Sequence, residues 1–213
     1  MAYGKSFKIK TKNPDLSLRV TRGHFATNHS HTNYYIDVTM QKSRFSEASA
    51  VAKELVSHYR FNTVIDAILC LDGTEVIGTC IAQELSQESF ASLNAHNTVY
   101  IVKPEYTTGS QLMFRDNIIP MIENKNVLIL AASVTTGYTA QSAIEAVNYY
   151  NGRVAGICAI FSTVDSCGDY PVKSIFDPND LDGYASYSSH DCPFCKEKQK
   201  IDALINSFGY SKL

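Results

Sequence analysis

One apolar run followed at once by a glycine-containing loop limits the fold of this chain more than any other feature. Residues 126–132 read Asn-Val-Leu-Ile-Leu-Ala-Ala, which is typical of a parallel strand covered on both faces. A Thr-Thr-Gly-Tyr-Thr loop follows, and helical spacing begins near Ala140. A strand, loop and helix in this order aim backbone N–H groups and the positive end of the helix dipole at the loop. The predicted anion site is Thr135, Thr136, Gly137, Tyr138 and Thr139.

These five residues also suit a purely structural turn. Gly137 fits a tight bend and Thr139 fits a helix N-cap, and neither role requires a ligand. We favour phosphate binding because this form of loop directly follows a buried strand, and the structural turn stays open as the alternative.

Helix-like and strand-like stretches alternate along the chain. Helices are predicted for residues 45–59, 76–85, 113–122 and 140–150, and strands for 63–71, 98–102, 127–132 and 154–161. This alternation predicts an α/β fold with a parallel sheet of four or five strands flanked by helices. Ligands bind such sheets at the carboxyl ends of the strands, where residues 72–74 and 133–139 both fall.

Composition and charge exclude several classes of partner. The 213 residues suit one α/β domain with a small appendage. The formal net charge of -2 gives no electrostatic reason to expect nucleic acid or an anionic membrane. The first 15 residues are polar and carry four lysines, unlike a signal peptide, and no run approaches the roughly 20 apolar residues of a membrane span. We therefore expect a cytoplasmic protein.

The six cysteines fall into two groups. Cys70, Cys80 and Cys158 lie in apolar runs and are predicted to be small, buried core residues. Near the C-terminus, residues 190–195 read His-Asp-Cys-Pro-Phe-Cys, and the thiolates of a Cys-x-x-Cys can close on one tetrahedral Zn²⁺. Helical spacing after this motif predicts a helix over residues 196–208.

A complete zinc site needs two ligands besides this cysteine pair. The predicted structural Zn²⁺ set is Cys192, Cys195, His190 and Cys167. Reduced cysteines that only pack are the alternative, because a single Cys-x-x-Cys is a weak signal. His24, His29 and His31 cluster near the N-terminus, but proximity in sequence does not make a site, so we assign them no ligand role.

The stretch 126–139 resembles the ribose-phosphate-binding signature of the type I phosphoribosyltransferases. That signature is an apolar strand, two adjacent acids, two further residues and Thr-Thr-Gly-x-Thr. The strand and the loop match, whereas Ala131 and Ala132 stand where the family carries Asp or Glu. Residues 23–37 are similar to the N-terminal segment of orotate phosphoribosyltransferases, and residues 71–74 occupy the position of the family's pyrophosphate loop.

The resemblance implies a fold and an organisation. It implies the type I phosphoribosyltransferase fold, divided into a small N-terminal hood at 1–40, an α/β core at 41–165 and a C-terminal extension at 166–213. Family members commonly form homodimers, so a homodimer is expected.

The resemblance also implies a small-molecule ligand, a phosphorylated ribose. The loop 135–139 would hold its 5′-phosphate, and Asp72, Gly73 and Thr74 would face a pyrophosphate. Mg²⁺ would accompany phosphoribosyl pyrophosphate. The family's mobile loop corresponds to residues 102–109, where Lys103 is the one cation kept and the candidate catalytic residue.

Two functions from different classes stay open. One is an orotate phosphoribosyltransferase-like glycosyltransferase of pyrimidine metabolism, which joins a base to phosphoribosyl pyrophosphate. The other is a regulatory module that senses a nucleotide or phosphoribosyl compound without transfer. In the family the paired acids bind the ribose hydroxyls and help stabilise the developing ribosyl cation. Loss of one preorganised electrostatic group typically costs about 10²–10³ in rate, so Ala131 and Ala132 favour the module and the extent of the resemblance favours the enzyme.

Overall fold

A computed structural model describes residues 6–11, 13–87, 93–94, 98–108 and 111–213. The chain forms two compact units, a larger one of residues 41–176 and a smaller one of residues 1–40 together with 177–213. The helices and strands, in chain order, are β1 (Phe7–Lys10), β2 (Ser17–Ala26), β3 (His31–Asp37), α1 (Thr39–Ser43), α2 (Phe45–Val56), β4 (Ala67–Cys70), α3 (Glu75–Leu85), β5 (Tyr100–Val102), β6 (Glu105–Tyr106), β7 (Leu112–Met113), β8 (Asn126–Val134), α4 (Tyr138–Tyr149), β9 (Arg153–Ser162), β10 (Ser166–Cys167), β11 (Tyr170–Phe176), β12 (Ser186–Tyr187), α5 (Pro193–Lys196), β13 (Ala203–Asn206) and β14 (Gly209–Lys212), with short 3-10 helices at Ile119–Met121 and Pro178–Asp180.

The larger unit is built on a sheet with the strand order β10-β11-β9-β8-β4-β5. The strands from β11 to β5 pair in parallel, and β10 adds an antiparallel edge. All four residues of β4 are buried, which explains its continuously apolar sequence, because a parallel strand is covered on both faces. The predicted α/β fold with a sheet of four or five parallel strands is confirmed.

The order of strands reverses between β4 and β8. From β4 the chain passes through α3 to β5 on one side, and β8 later pairs with the other side of β4. The next crossover, through α4, places β9 beyond β8. At such a reversal the crossovers diverge and a crevice opens outside the carboxyl ends of the two central strands. The fold therefore places the ends of β4 and β8 beside a ready-made binding crevice.

One hydrophobic core supports these strand ends. Leu69 of β4, Ile129 of β8 and Ile157 of β9 are fully inaccessible to solvent and pack with Val147 of α4. Burying each such side chain contributes roughly 1.5–3 kcal/mol, so the strands that carry the loops are held firmly. Ala131, near the end of β8, belongs to the same core and is only 2% exposed.

The three cysteines assigned to the core from sequence lie there. Cys70, Cys80 and Cys158 are free and buried, as predicted. Burial, together with the nearby Glu75 carboxylate, raises the pKa of Cys70 to about 12. Cys70 therefore packs as a neutral thiol at pH 7.

The helix predicted for residues 113–122 is wrong. β7 ends at Met113, and only the short 3-10 helix Ile119–Met121 follows. Pro120 lies inside that turn, and because proline has no N–H to donate, a short turn accommodates it where a longer helix would lose a hydrogen bond.

The smaller unit has a sheet of its own, in the order β12-β3-β2-β13-β14, with β1 also paired to β2. The helix predicted for residues 196–208 is wrong, because the tail forms the hairpin β13–β14 after the short α5. Ala203 is fully buried while Leu204 is 49% exposed, which is the alternation of a strand with one covered face. β13 pairs in parallel with β2, placing Ala203 opposite Phe25.

In the part of the chain that the structure describes, none of the helices combines the length and the apolar character needed to cross a membrane.

Candidate functional site

The loop 135–139 joins the end of β8 to the start of α4. Gly137 is the N-cap residue and has φ of 79°, a left-handed conformation that glycine adopts without steric cost. It has no side chain to cap the first N–H groups of the 12-residue helix. The side chains of Thr135, Thr136, Tyr138 and Thr139 are exposed around it. The small cleft lined by this loop thus combines backbone donors, hydroxyl groups and the positive end of a helix.

The end of β9 fixes the shape of this loop. The backbone N–H of Thr163 donates to the carbonyl of Val134 at 2.9 Å, and its hydroxyl donates to the carbonyl of Thr135 at 2.8 Å. On the other side, a Cβ added to Gly137 would lie 3.2 Å from the Sγ atom of Cys167. The contacts at Val134 and Thr135 use carbonyl groups, so the loop is held in place without engaging the donors that a phosphate needs.

Ala131 and Ala132, which the resemblance described above aligns with an acid pair, are both 2% exposed. Ala131 lies opposite Ala159 of β9 and packs in the main core. A methyl group can neither accept a hydrogen bond from a ribose hydroxyl nor carry charge. This end of β8 therefore offers two packed methyl groups and no carboxylate.

The second loop follows β4 and is a tight two-residue turn. Asp72 and Gly73 are both left-handed, with φ of 58° and 77°, and the N–H of Thr74 donates to the carbonyl of Leu71 at 3.2 Å. The Thr74 hydroxyl is completely buried and donates to the carbonyls of Leu71 at 2.7 Å and Leu130 at 3.2 Å. Thr74 therefore ties this loop to β8, and its side chain does not face the crevice.

Helix α3 begins immediately after this turn. Thr74 is its N-cap residue, but its hydroxyl is committed to the carbonyls of Leu71 and Leu130 and does not cap the helix. The N-terminus of this 11-residue helix is thus a second place where backbone donors and the helix dipole favour an anion.

Two lysines and one glutamate surround the second loop. The Nζ atom of Lys42 donates to the carbonyl of Asp72 at 2.7 Å, and the Nζ atom of Lys103 lies 3.0 Å from Oε1 of Glu75. Partial burial acts to raise the pKa of Glu75, but its backbone hydrogen bond and the two ammonium groups outweigh this and lower the pKa. Lys103 was the predicted cation, whereas Lys42, on α1, was missed.

The two loops are neighbours at one edge of the sheet. β4 and β8 pair directly, with Cys70 opposite Leu130, and the N–H of Leu71 extends the ladder to the carbonyl of Leu130 at 2.8 Å. Both helix N-termini therefore start from adjacent strand ends, at the crevice where the strand order reverses. Of the predicted mobile loop, residues 102–108 are described and residue 109 lies outside the described part.

The cysteine motif of the tail meets a different set of residues from the predicted one. In the smaller unit, Cys192 and Cys195 lie with His24 and His31, and the four potential ligand atoms are within 4.8 Å of one another. His190 is exposed in the preceding turn and Cys167 lies in the larger unit beside Gly137, so neither belongs to this group. The sequence analysis noted His24 and His31 but gave them no ligand role. Their positions on either side of the turn between β2 and β3 were the one feature of the sequence that could have indicated that they lie close together.

Two curated proteins are similar in sequence to most of this chain. The orotate phosphoribosyltransferase of Chlorobaculum parvum is 25% identical over 182 residues, which are 85% of this chain and 86% of that protein. The orotate phosphoribosyltransferase of a Thermoanaerobacter species is 26% identical over 185 residues, 84% of this chain and 86% of that protein. No protein-family model matches the chain.

Solved structures show the same fold. The adenine phosphoribosyltransferase of Leishmania tarentolae superposes with a TM-score of 0.52 at 16% identity, over 70% of this chain and 79% of that one. At this level of identity the likeness establishes the fold alone. The sequence similarity and this superposition both cover most of the chain.

Proposed function

Because this chain is related in sequence and fold to the type I phosphoribosyltransferases, we propose that it binds a 5′-phosphorylated ribose compound in the crevice between β4 and β8. The 5′-phosphate occupies the loop 135–139. A diphosphate, when the ligand carries one, lies at the second loop, 72–74.

The observation that carries this proposal is the uncapped N-terminus of α4 at the end of a buried central strand. Gly137 holds the left-handed N-cap conformation, and exposed hydroxyls of Thr136 and Thr139 stand beside it. A phosphate at a helix N-terminus gains several N–H donors and the favourable dipole, and the exposed hydroxyls of Thr135, Thr136 and Thr139 add three further donors. A structural turn would need the glycine but would gain nothing from a row of exposed threonines.

Two lysines beside the second loop can offer positive charge to a diphosphate when Mg²⁺ offsets the neighbouring carboxylates of Asp72 and Glu75. Lys42 and Lys103 converge on this loop, and each is engaged, Lys42 with the carbonyl of Asp72 and Lys103 with Glu75. A ligand bearing several negative charges would compete with these weaker partners for both ammonium groups. Mg²⁺ would be held mainly by the diphosphate oxygens and water, with Asp72 as the nearby carboxylate of this turn.

In the transfer reaction, a ring nitrogen of a base gives up its proton to solvent and forms a bond to C1′ of the ribose, while the bond from C1′ to the diphosphate oxygen breaks. The diphosphate leaves with the electron pair, and Lys42, Lys103 and the N-terminus of α3 are placed to stabilise its charge. Under this scheme the chain is a phosphoribosyltransferase. The ribose hydroxyls of the ligand and the developing ribosyl cation would meet no carboxylate at Ala131 and Ala132, so the transfer would be slow.

The second candidate is a binding module that senses the same ligand class without transfer. The buried Ala131 and Ala132 favour it, because the ribose hydroxyls then meet no carboxylate at the end of β8. A family-like homodimer would suit both functions, and its test is the molar mass measured by light scattering during gel filtration.

Calorimetric titration with phosphoribosyl pyrophosphate, with and without Mg²⁺, tests the ligand, and a 5′-mononucleotide serves as the comparator. The variant Thr136→Ala with Gly137→Ala should lose at least tenfold in affinity. The matched control is Thr79→Ala with Gly183→Ala, which removes an exposed threonine and a left-handed glycine of the smaller unit whose added Cβ would meet no atom within 4 Å. Equal affinities for the two double variants would refute the loop as the phosphate site.

Diphosphate release separates the enzyme from the module. Mg²⁺-dependent binding of phosphoribosyl pyrophosphate, followed by release of diphosphate when orotate or another base is added, supports transfer. Binding of the mononucleotide without any release in the presence of bases supports the sensor. Failure to bind either compound would overturn both functions.

A further inference from the structure

Four side chains in the smaller unit converge in a way that its sheet alone does not require. His24 of β2 and His31 of β3 lie beside Cys192, the N-cap residue of α5, and Cys195, which is within α5. We propose that these residues bind one structural Zn²⁺ ion as a Cys₂His₂ site. The site is separate from the phosphate loop and does not depend on the proposed function.

Three of the four short distances between ligand atoms match those around a tetrahedral ion, and the fourth, between the two histidine nitrogens, is about 0.3 Å shorter. With zinc–sulfur bonds of about 2.3 Å and zinc–nitrogen bonds of about 2.0–2.1 Å, neighbouring ligand atoms of a tetrahedron lie about 3.3–3.8 Å apart. The Sγ atom of Cys192 lies 3.4 Å from Nε2 of His24, and Sγ of Cys195 lies 3.7 Å from the same atom. The Sγ of Cys195 lies 3.3 Å from Nδ1 of His31, and the two histidine nitrogens are 3.0 Å apart.

The hydrogen bonds of His24 fix which of its nitrogens can bind a metal. Its Nδ1 atom lies 3.2 Å from the carbonyl of Gln199 and 3.3 Å from that of Lys200. A carbonyl only accepts hydrogen bonds, so Nδ1 carries the proton and Nε2 presents its lone pair to the cluster. Metal-binding histidines commonly donate their other N–H to a carbonyl in this way, which orients the ring.

This assignment leaves one lone pair surrounded by three polar neighbours. Nε2 of His24 contacts Nδ1 of His31 and the thiols of Cys192 and Cys195. A single acceptor needs one donor, and three groups crowding it gain little from hydrogen bonding in a buried place. One cation at the centre satisfies all four ligand atoms together.

The ligand set indicates zinc and a structural role. Two thiolates with two imidazoles in a tetrahedron is a typical zinc arrangement, and four protein ligands leave no open position for a substrate. Cys192 is completely buried and His24 is 2% exposed, whereas Cys195 is exposed, so the site is buried on one side and open to solvent at Cys195.

The smaller unit has a physical need for such an ion. One of its buried apolar clusters, beside β13, consists of only Phe25, Tyr35 and Ala203, with Ile205 packed against it, and Leu18 and Val20 are buried elsewhere in the unit. Small cores supply little stability, and a structural metal is one of the usual supplements. The ion would join the N-terminal hairpin to the turn at 192–195, next to the tail strand β13 that pairs with β2.

Metal content is the direct test. The chain is produced in zinc-supplemented medium, purified without chelator and analysed by plasma mass spectrometry. The wild type should carry about one zinc per chain, and Cys192→Ser with Cys195→Ser should carry none. His190→Ala with Cys80→Ser removes one histidine and one cysteine outside the cluster and should keep the full equivalent.

A second measurement keeps the proposal testable where a ligand variant fails to fold. Wild-type protein is stripped with a chelator and titrated with Co²⁺, whose visible absorption reports tetrahedral thiolate coordination, and Zn²⁺ should then displace the colour. The thermal midpoint should fall on stripping and return with zinc. Metal-free wild-type protein that takes up neither ion, or a Cys192–Cys195 disulfide in protein purified under reducing conditions, would overturn the proposal.

Discussion

Restoring the first acid of the family's pair tests whether the end of β8 can still carry charge. Ala131 is 2% exposed and packs in the core of the larger unit, so the carboxyl group of Ala131→Asp would be buried. An Asp with an ordinary pKa near 3.9 must be kept protonated to stay buried at pH 7, which costs about 4 kcal/mol at 1.36 kcal/mol per pH unit. Burying the neutral carboxyl group without a partner adds about 1–3 kcal/mol.

The sign of the pH dependence follows from the same argument. The pKa of the substituted Asp is raised in the folded state, so the cost is small near pH 4 and grows as the pH rises above the unfolded pKa. At pH 5 the protonation cost is about 1.5 kcal/mol, so the variant should regain about 2.5 kcal/mol relative to the wild type between pH 7 and pH 5.

Urea unfolding at pH 5 and pH 7 measures this difference. Ser133→Asp is the matched control, because Ser133 lies on the same strand and is exposed. Ala131→Asn, a neutral side chain of similar shape, should show the burial cost without the pH dependence. If Ala131→Asp unfolds like Ser133→Asp at both pH values, the strand end is open to solvent and our account of the site is refuted.

Two further substitutions probe the loops themselves. Gly137→Ala should cost about 1–2 kcal/mol in the free energy of unfolding, because φ is 79°, and somewhat more from the 3.2 Å approach to Cys167. Gly168→Ala, with φ of 56° and its nearest neighbour at 3.6 Å, should show the cost of the left-handed conformation alone. If both variants lose the same free energy of unfolding, the contact with Cys167 adds nothing to the cost of Gly137→Ala. Lys103→Met should destabilise by less than about 1 kcal/mol at pH 7, because both partners are partly exposed. The pKa of Glu75 is lowered in the folded state from an ordinary value of 4.5, so this contribution is fully present above that pH and is lost as the pH falls through the lowered folded pKa. A difference between Lys103→Met and the wild type that does not shrink at any acidic pH at which the protein stays folded would mean that Glu75 is not the partner.

The parts of the site that the sequence predicts are those made by neighbours in the chain. β8, the loop 135–139 and α4 form one continuous segment, and residues 127–132 of β8, which are buried on both faces, form an unbroken apolar run. The turn at Asp72–Gly73 is local in the same way. Such features depend on residues a few positions apart, so composition and spacing carry the information.

Features that depend on distant pairing leave little trace in the sequence. Lys42 bonds a main-chain carbonyl 30 positions away, an acceptor that every residue possesses. His24 and His31 meet across the β2–β3 hairpin, where a register shift between Arg22 and Phe25 interrupts simple alternation. Their cysteine partners are more than 160 positions further along. His190, although it is the histidine nearest to the cysteines in the sequence, is therefore not one of the residues that lie beside them.

The tail was mispredicted for a different reason. Ile201, Leu204 and Ile205 have a spacing that suits one face of a helix, and over so short a stretch the same residues also suit a strand. The pairing with β2 determines that this stretch is a strand, because Ala203 lies opposite Phe25 of β2 and is fully buried there. Tertiary pairing overrode the local pattern.

The pairing of β13 with β2 has a consequence for how the protein is made. The two strands are separated by the whole larger unit, residues 41–176, so a ribosome synthesising 5–20 residues per second exposes β2 on the order of ten seconds before β13 emerges. During that interval Phe25 and Ala26 of β2 lack their β13 partner, since β1 pairs only with residues 17–20, and this short stretch of strand edge is a template for pairing with other nascent chains. Chaperone demand should therefore peak late in translation, and fusions that delay release of the tail should aggregate more than fusions at the N-terminus.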